Sequence, residues 1–311
     1  MSKVSIIIPF LNEEEAIPGL VQHLNDFFSV LKSSEIEVIF VDDGSVDNSS
    51  ELLKSLQHNS YSAKLINLSK NFGSHAALRA GISEASGDFI VNSNADLQDP
   101  LSLIPELLQK CELGYEVVWA HRKSTGTGLF ETFFTSAYAW LVQKFINPKF
   151  PKIGLDVVMF SKKIKKELDH NPELNSSLFL QIMNMGFKQD QIYFNRNERS
   201  KGKSKWTISK KIKLMIDTFI SFSYSPIRMV TIIGLLFSTL GFAWTVYIIL
   251  RTLLVGDLSP GWPAMISILL IGFGITNLSL GVIAEYLWRT FDASRNRKVY
   301  IVSDISVLNN Q

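Results

Sequence analysis

The stretch Val38-Ile39-Phe40-Val41-Asp42-Asp43-Gly44-Ser45 decides the fold of this chain. Four consecutive apolar residues, three of them β-branched, predict a strand that is buried on both faces. The run changes at once to two carboxylates and a glycine, and Gly44 permits a tight turn. Ligands of open α/β sheets bind beyond the carboxyl ends of the strands. The stretch therefore predicts a buried strand with a ligand-binding turn at its end.

Short apolar runs and helical stretches alternate along the first part of the chain. The predicted strands are Val4–Ile8, Ile36–Val41, Lys64–Leu68, Phe89–Asn92 and Val117–Ala120. The predicted helices lie near Glu13–Leu31, Ser49–Gln57, His75–Ala85 and Pro100–Leu113. This alternation predicts an α/β domain, a mostly parallel sheet with helices on both faces. Asn12 and Glu15 predict an N-cap and its capping-box partner for the first helix.

The turn after the strand at 36–41 offers carboxylates to a ligand. Asp42 and Asp43 can accept hydrogen bonds from a nucleobase and a ribose. An ordinary Asp-Gly turn explains Asp43 and Gly44 equally well. That alternative leaves Asp42 unexplained, because Asp42 lies at the end of the strand itself.

The segment Ser93-Asn94-Ala95-Asp96-Leu97-Gln98-Asp99-Pro100 follows the fourth predicted strand. Side chains at alternate positions of an extended segment point the same way, and Asn94, Asp96 and Gln98 occupy such positions. Their oxygens suit Mg²⁺ or Mn²⁺, and the ion would neutralise a departing diphosphate. A solvated loop that ends at Asp99 before Pro100 explains the same residues, and the spacing alone leaves both interpretations open.

Two apolar stretches, Met229–Leu250 and Pro263–Ala284, contain no ionisable residue. At about 1.5 Å per residue each would span ~33 Å as a helix, which matches the hydrocarbon thickness of a bilayer. A pair of buried core helices is the alternative, but such helices rarely run so far without a charge. We therefore expect a two-helix transmembrane hairpin at 229–250 and 263–284.

Basic residues are concentrated beside these stretches, although the net charge is only +2. They are Lys201, Lys203, Lys205, Lys210, Lys211, Lys213 and Arg228 before the first stretch, and Arg289, Arg295, Arg297 and Lys298 after the second. The positive-inside rule then places both termini in the cytoplasm. We expect a cytosolic catalytic domain at 1–206, an amphipathic interfacial helix at 207–228 and a cytosolic tail at 289–311. The aromatic-rich stretch Gly126–Ile146 fits a further interfacial helix or a core helix.

Composition sets the broad class of protein. Cys111 is the only cysteine among 311 residues, so no intramolecular disulfide forms. A hydrophobic content of 46% suits one α/β domain together with a membrane hairpin. The run Val4–Pro9 is too short for a signal peptide, so we expect membrane insertion to rely on the C-terminal stretches.

Five segments in order resemble inverting family 2 glycosyltransferases that act on polyprenyl phosphates. They are Pro9 to Glu13, Val41 to Ser45, Asn71 to Gly73, Asn94 to Pro100 and the two apolar stretches. The closing segments Gly281 to Arg289 and Asn296 to Val302 resemble the bacterial members with two C-terminal transmembrane helices. The likeness covers nearly the whole chain and implies a GT-A (Rossmann-like) fold.

The resemblance also implies roles for individual residues. The nucleotide sugar is assigned to Pro9, Phe10, Glu13, Asp42, Asp43, Asp96 and Arg122. The metal ion, Mg²⁺ or Mn²⁺, is assigned to Asp96, Gln98 and Asn94, the catalytic role to Asp156 and Asp96, and phosphate binding to Arg199 and Lys205. One position departs from the family pattern, since family members usually carry Asp where this chain has Asn94. An amide oxygen can ligate a hard cation but brings no charge.

The expected activity is transfer of a sugar, with inversion, from a nucleotide diphosphate sugar to polyprenyl (undecaprenyl) phosphate at the cytoplasmic face of the inner membrane. UDP-sugar is the favoured donor, and we expect a homo-oligomer in the lipid bilayer and no nucleic-acid partner. Two alternatives stay open: a non-catalytic or weakly active relative that acts as a membrane scaffold, and a transferase to a different lipid acceptor.

Overall fold

A computed structural model describes residues 2–30, 35–96, 98–123, 129–152, 155–171, 177–195, 225–255, 261–295 and 298–308. The chain divides into two compact units. Residues 1–214 and 298–311 form one unit, and residues 215–297 form the other. Of the interfacial helix expected at 207–228, residues 207–224 lie outside the described residues, and residues 225–228 begin a long helix of the second unit.

The first unit is built on one sheet whose eight strands run in the order β7-β5-β6-β4-β1-β2-β3-β8. The strands are β1 (Lys3–Phe10), β2 (Glu35–Asp42), β3 (Ser62–Leu68), β4 (Phe89–Asn92), β5 (Val117–Arg122), β6 (Val157–Ser161), β7 (Gln189–Phe194) and β8 (Val302–Leu308). All five predicted strands are present, and β1 and β5 each continue two residues further at their carboxyl ends. The expected α/β fold with a mostly parallel sheet is confirmed.

Strand direction decides what the sheet presents at each edge. β1 pairs in parallel with β2 and β4, and β2 pairs in parallel with β3. β6 is antiparallel to both β4 and β5, while β7 is parallel to β5. The amino end of β6 therefore lies at the same edge as the carboxyl ends of β1 to β5.

Seven helices of the described residues accompany the sheet. They are α1 (Ile17–Val30), α2 (Ser49–Ser55), α3 (Ser74–Glu84), α4 (Leu103–Glu112), α5 (Leu129–Phe145), α6 (Lys162–His170) and α7 (Leu178–Asn184). α1 buries Ile17, Leu20 and Leu24 because these residues recur on one helical face. α5 buries Val142 completely but leaves Trp140 55% exposed, so the expected aromatic-rich helix has one buried and one exposed side.

The expected N-cap at Asn12 is wrong. α1 begins five residues later, at Ile17, and Asn12 adopts a left-handed backbone with φ of 51°. Its side-chain oxygen instead accepts a hydrogen bond from the backbone N–H of Val46 at 2.8 Å. Asn tolerates this conformation better than most residues, and here the tertiary contact determines what its side chain binds.

Neither β6, β7 nor β8 was predicted from the sequence, and β8 lies in the C-terminal tail. It pairs antiparallel with β3 and forms the outer strand on that side of the described sheet. The chain just before β8 is also fixed, because Ser69 donates its N–H to the carbonyl of Ile301 at 2.9 Å and the hydroxyls of Tyr300 and Ser83 lie 2.8 Å apart. The tail expected at 289–311 thus contributes a strand to the first unit.

The second unit contains two long helices in contact, α8 (Ser225–Val255) and α9 (Trp262–Ser294). Within the described residues, one stretch, Ile271–Trp288, is long and apolar enough to cross a membrane. Arg228–Trp244 is also apolar but shorter. The two-helix transmembrane hairpin is therefore not confirmed and stays a prediction.

Candidate active site

Four predicted site residues lie at the edge formed by the carboxyl ends of the parallel strands. Asp42 ends β2, Arg122 ends β5, and Asp96 follows β4 by four residues. Asp156 comes directly before β6, which starts at this edge because it runs antiparallel to its neighbours. Strand topology thus brings together residues that are more than a hundred positions apart in the sequence.

The loops after β1 and β2 are bonded to each other. Asn12 donates its backbone N–H to the hydroxyl of Ser45, and Glu13 donates its backbone N–H to the hydroxyl of Ser49, both at 2.9 Å. Pro9 is half-buried at the end of β1, whereas Phe10 is only 5% exposed and belongs to the core. The nucleotide roles of Pro9, Phe10 and Glu13 stay predictions, and the ring of Phe10 packs inside the domain.

The carboxylate of Asp43 is hydrogen-bonded to the backbone of the loop before α3. Its carboxylate accepts N–H bonds from Phe72 at 2.8 Å and from Gly73 at 3.0 Å. Burial raises the pKa of this carboxyl, the nearby charge of Asp42 adds to the rise, and the two N–H bonds oppose it. Asp43 therefore connects the loop after β2 to the loop after β3. Its contact with the nucleotide stays a prediction.

Gly44 is required by a close approach of these two loops. Its φ is +77°, and a Cβ added there would lie 2.5 Å from the backbone carbon of Lys70. The Asp-Gly turn expected from the sequence is thus present. It serves loop packing in addition to chain reversal.

Asp42 lies in a different environment from its neighbour. The residue is 5% exposed, and one carboxylate oxygen accepts the backbone N–H of Ser45 at 2.7 Å. The other oxygen accepts the hydroxyl proton of Ser50, the second residue of α2. Asp42 is therefore an ordered acceptor at the end of β2, and its contact with the nucleotide stays a prediction.

Arg122 and Asp156 form an ion pair with two hydrogen bonds. Arg122 donates from Nε to Oδ2 at 2.7 Å and from Nη2 to Oδ1 at 3.0 Å. Asn92 at the end of β4 fixes the same segment, because its side chain donates to the carbonyl of Asp156 at 2.9 Å and accepts the N–H of Val158 at 2.9 Å. The resemblance gave Arg122 a role in binding the nucleotide sugar and Asp156 a catalytic role, and the structure brings the two side chains together.

Polar groups of the proposed metal-binding segment, residues 94–99, form hydrogen bonds with one another. Asp96 accepts the backbone N–H of Gln98 at 3.2 Å. The amide N–H of Asn94 donates to the buried Asp99 at 2.6 Å. Among the residues that the structure describes, no three His, Cys, Asp or Glu side chains form a group suited to a metal ion. Asp96 is then the one acidic ligand in the predicted set.

Two predicted site residues are not described by the structure, and three residues near the site were not predicted. Arg199 and Lys205 lie outside the described residues, so their phosphate-binding role stays a prediction. Asn92, Ser50 and Asn67 were missed by the sequence analysis. Asn92 carried a usable signal, since an amide at the end of an apolar buried strand needs a partner.

Comparison with known proteins identifies the family of this chain. A model of the family described as glycosyl transferase family 2 matches residues 5–175. The bactoprenol glucosyl transferase of Shigella phage SfV is 32% identical, with 97% of this chain and 98% of the relative covered. The undecaprenyl-phosphate 4-deoxy-4-formamido-L-arabinose transferase of Yersinia pestis is 29% identical, with 98% and 94% covered.

The fold comparison agrees with the sequence comparison. The crystal structure of a mycobacterial protein aligns with a TM-score of 0.50 and 14% identity, over 70% of this chain and 74% of that one. This likeness supports the fold alone. The chain belongs to glycosyltransferase family 2 and is a glycosyltransferase of the polyprenyl-phosphate type in its overall sequence.

Proposed function

We propose that this chain transfers a sugar, with inversion, from a nucleotide diphosphate sugar to a polyprenyl phosphate such as undecaprenyl phosphate. The observation that carries the proposal is the likeness over nearly the full length to a bactoprenol glucosyl transferase. The geometry supports it, because Asp42, Asp96 and the Arg122–Asp156 pair lie at the ligand-binding edge of the sheet.

The nucleotide sugar binds, in this proposal, across the loops after β1, β2 and β4. Asp42 is suited to the base or ribose because it is an ordered acceptor at a strand end. UDP-sugar is the favoured donor. Pro9 lies near the end of β1, and Glu13 lies in the loop that follows and donates its backbone N–H to Ser49, so both border the same region.

A divalent ion, Mg²⁺ or Mn²⁺, fits the side chains of the loop after β4. Mg²⁺ is commonly held by one or two carboxylates together with substrate phosphates and water, so a single carboxylate at Asp96 suffices. Gln98 and Asn94 can add only neutral amide oxygens, and the N–H of Asn94 is already used by Asp99. When bound, the ion would neutralise the diphosphate, and Asp96 would hold it there.

The acceptor needs positioning more than activation. A phosphate monoester has a second pKa near ~6 and is largely dianionic at neutral pH. Asp156 is held in one orientation by two bonds from Arg122, which suits a carboxylate that positions the acceptor or stabilises positive charge developing on the sugar. Arg199 and Lys205 supply countercharge for the two approaching anions in this proposal.

The membrane arrangement is also part of the proposal. We place residues 1–206 and the tail 289–311 on the cytoplasmic face, residues 207–228 on the membrane surface, and residues 229–250 of α8 and 263–284 of α9 as two spans in the inner membrane. The apolar stretch Ile271–Trp288 and the basic residues flanking both helices support this placement. The resemblance to polyprenyl-phosphate glycosyltransferases also leads us to expect a homo-oligomer.

Purified full-length protein in membranes tests the function. It would be incubated with undecaprenyl phosphate, Mg²⁺ or Mn²⁺ and a panel of UDP- and GDP-sugars, and mass spectrometry would detect a glycolipid. We expect a metal-dependent product from a UDP-sugar and none from Asp96→Ala. Asp26→Ala is the matched control, because Asp26 is an exposed acidic residue of α1. A product that forms equally well with chelator, or in Asp96→Ala, would overturn the metal assignment. If no donor of the panel gives a glycolipid, the proposed transfer reaction is overturned.

A further inference from the structure

Asp42 is the end of a side-chain relay that joins three elements of the fold. Its Oδ2 accepts the hydroxyl proton of Ser50 in α2. The hydroxyl oxygen of Ser50 lies 2.9 Å from the side-chain oxygen Oδ1 of Asn67, the residue before the end of β3. Asp42 is 5% exposed, while Ser50 and Asn67 are half-buried, so these contacts are only partly open to water.

The chemistry of the three groups gives the relay a direction. A serine hydroxyl has one proton, so Ser50 cannot donate to Asp42 and to Asn67 at once. The carboxylate is the stronger acceptor and takes that proton. The amide of Asn67 can turn so that its N–H donates to the serine oxygen, because the two ends of an amide are distinguished by their hydrogen bonds. Asn67 then fixes Ser50, and Ser50 fixes Asp42.

We propose that Ser50 and Asn67 are positioning residues for the nucleotide donor, acting through the carboxylate of Asp42. The inference rests on the proposed function, in which Asp42 accepts a hydrogen bond from the base or ribose. With Oδ1 held by the N–H of Ser45 and Oδ2 by Ser50, the carboxylate plane is set before the nucleotide arrives. Binding then avoids the cost of ordering this side chain.

Removal of the relay should affect donor binding more than the chemical step. Without the Ser50 hydroxyl, Asp42 keeps its bond to Ser45 but can rotate about its terminal torsion, so its remaining lone pairs no longer point in one direction. The reacting atoms lie elsewhere, at Asp96 and Asp156 in the proposed site. We therefore expect a higher KM for the nucleotide sugar at nearly unchanged kcat.

Calorimetric titration of UDP into full-length protein tests the inference directly. Ser50→Ala should weaken UDP binding about tenfold, and Ser50→Thr, which keeps the hydroxyl, should restore it to within about twofold. Asn67→Leu removes the amide and should give an intermediate loss. Ser55→Ala is the matched control, because Ser55 ends the same helix and its hydroxyl donates only to the carbonyl of Leu52 in the described contacts.

The outcomes separate the inference from the proposed function. Equal UDP affinity in Ser50→Ala and wild type would overturn the positioning role, even if glycolipid is formed. Equal losses in Ser50→Ala and Ser50→Thr, or a fall in kcat at constant KM, would overturn it as well. Weakened UDP binding in Ser50→Ala with no transfer by wild type would support the relay and count against the proposed acceptor.

Discussion

The guanidinium of Arg122 and the carboxylate of Asp156 make two parallel hydrogen bonds between the end of β5 and the start of β6, at 2.7 and 3.0 Å. The side chains are 21% and 14% exposed, so the pair is only partly screened by water. Neighbouring antiparallel strands create this contact, because the end of one lies beside the start of the other. The pair fixes Asp156 within the edge where the other site residues lie.

The bidentate hydrogen bonding between Arg122 and Asp156 predicts that the two residues act as a unit. Asp156→Asn and Arg122→Lys should each lower kcat/KM for transfer by about 10²-fold or more, since a lysine offers a point charge in place of a planar fork. The double variant should lose little more than either single variant, because residues that act together are not additive. Steady-state kinetics with circular dichroism as a folding control measures this.

Lys123→Ala is the control for that pair, because Lys123 is the exposed neighbour of Arg122. Fully additive losses in the double variant would contradict a joint role. Wild-type kinetics in Arg122→Lys would show that the second hydrogen bond has no effect on transfer.

Asn94→Asp tests whether Asn94 serves the metal or its neighbour. The amide now donates to the buried carboxylate of Asp99 at 2.6 Å, and an aspartate would place a second negative charge there. We expect a loss of about 1–3 kcal/mol in unfolding free energy at pH 7, with partial recovery on acidification as one carboxyl takes up a proton. Thermal melting at pH 7 and pH 5 measures the change. A variant with unchanged stability and tighter Mn²⁺ binding would instead make position 94 a metal ligand.

His75 predicts a dependence of stability on pH. Burial, followed by the charge of Arg79, lowers the pKa of His75 from 6.5 to about 4. Its ring packs edge-on against Phe179 with centroids 5.6 Å apart, and its Nδ1 has no hydrogen-bond partner among the described residues. The unfolded chain therefore binds a proton that the folded chain does not between these two pH values.

The sign of this effect follows from linkage. The contribution of His75 to stability is present above pH 6.5 and is lost as the pH falls towards 4, by at most about 1.4 kcal/mol per pH unit. His75→Phe should reduce the slope of melting temperature against pH in this window. His170→Phe is the control, because His170 is exposed at the end of α6. Equal slopes in wild type and His75→Phe would contradict the prediction.

β8 predicts that the C-terminal tail stabilises the catalytic unit. Tyr300→Phe should cost about 0.5–1.5 kcal/mol, because it removes the hydroxyl contact with Ser83 but keeps the ring. Removal of 302–308 should have a larger effect, since it exposes the backbone donors and acceptors of β3 that pair with β8. Thermal melting and light scattering of the full chain and the truncated chain measure both. An unchanged melting temperature after truncation would show that the strand contributes nothing to stability.

Much of the fold follows from local sequence, while the pairing of site residues does not. The strand at 35–42 is predictable because a buried parallel strand requires consecutive apolar side chains. The strand β8 is not, since Val302-Ser303-Asp304-Ile305-Ser306-Val307-Leu308 has only a modest pattern and becomes a strand by pairing with β3. β8 buries only Leu308, so its sequence carries little of the apolar signal of a buried strand.

The sequence alone determined the family, the parallel core of the sheet and the positions of Asp42 and Asp96 after predicted strands. These features are local, because apolar runs, turn glycines and short motifs are written in consecutive residues. Only the tertiary structure decided that Arg122 pairs with Asp156, that Asn94 serves Asp99, and that Asn12 bonds to Val46 instead of capping α1. Each of these contacts depends on strand order and loop packing, and a polar side chain takes the partner that folding brings within hydrogen-bond distance.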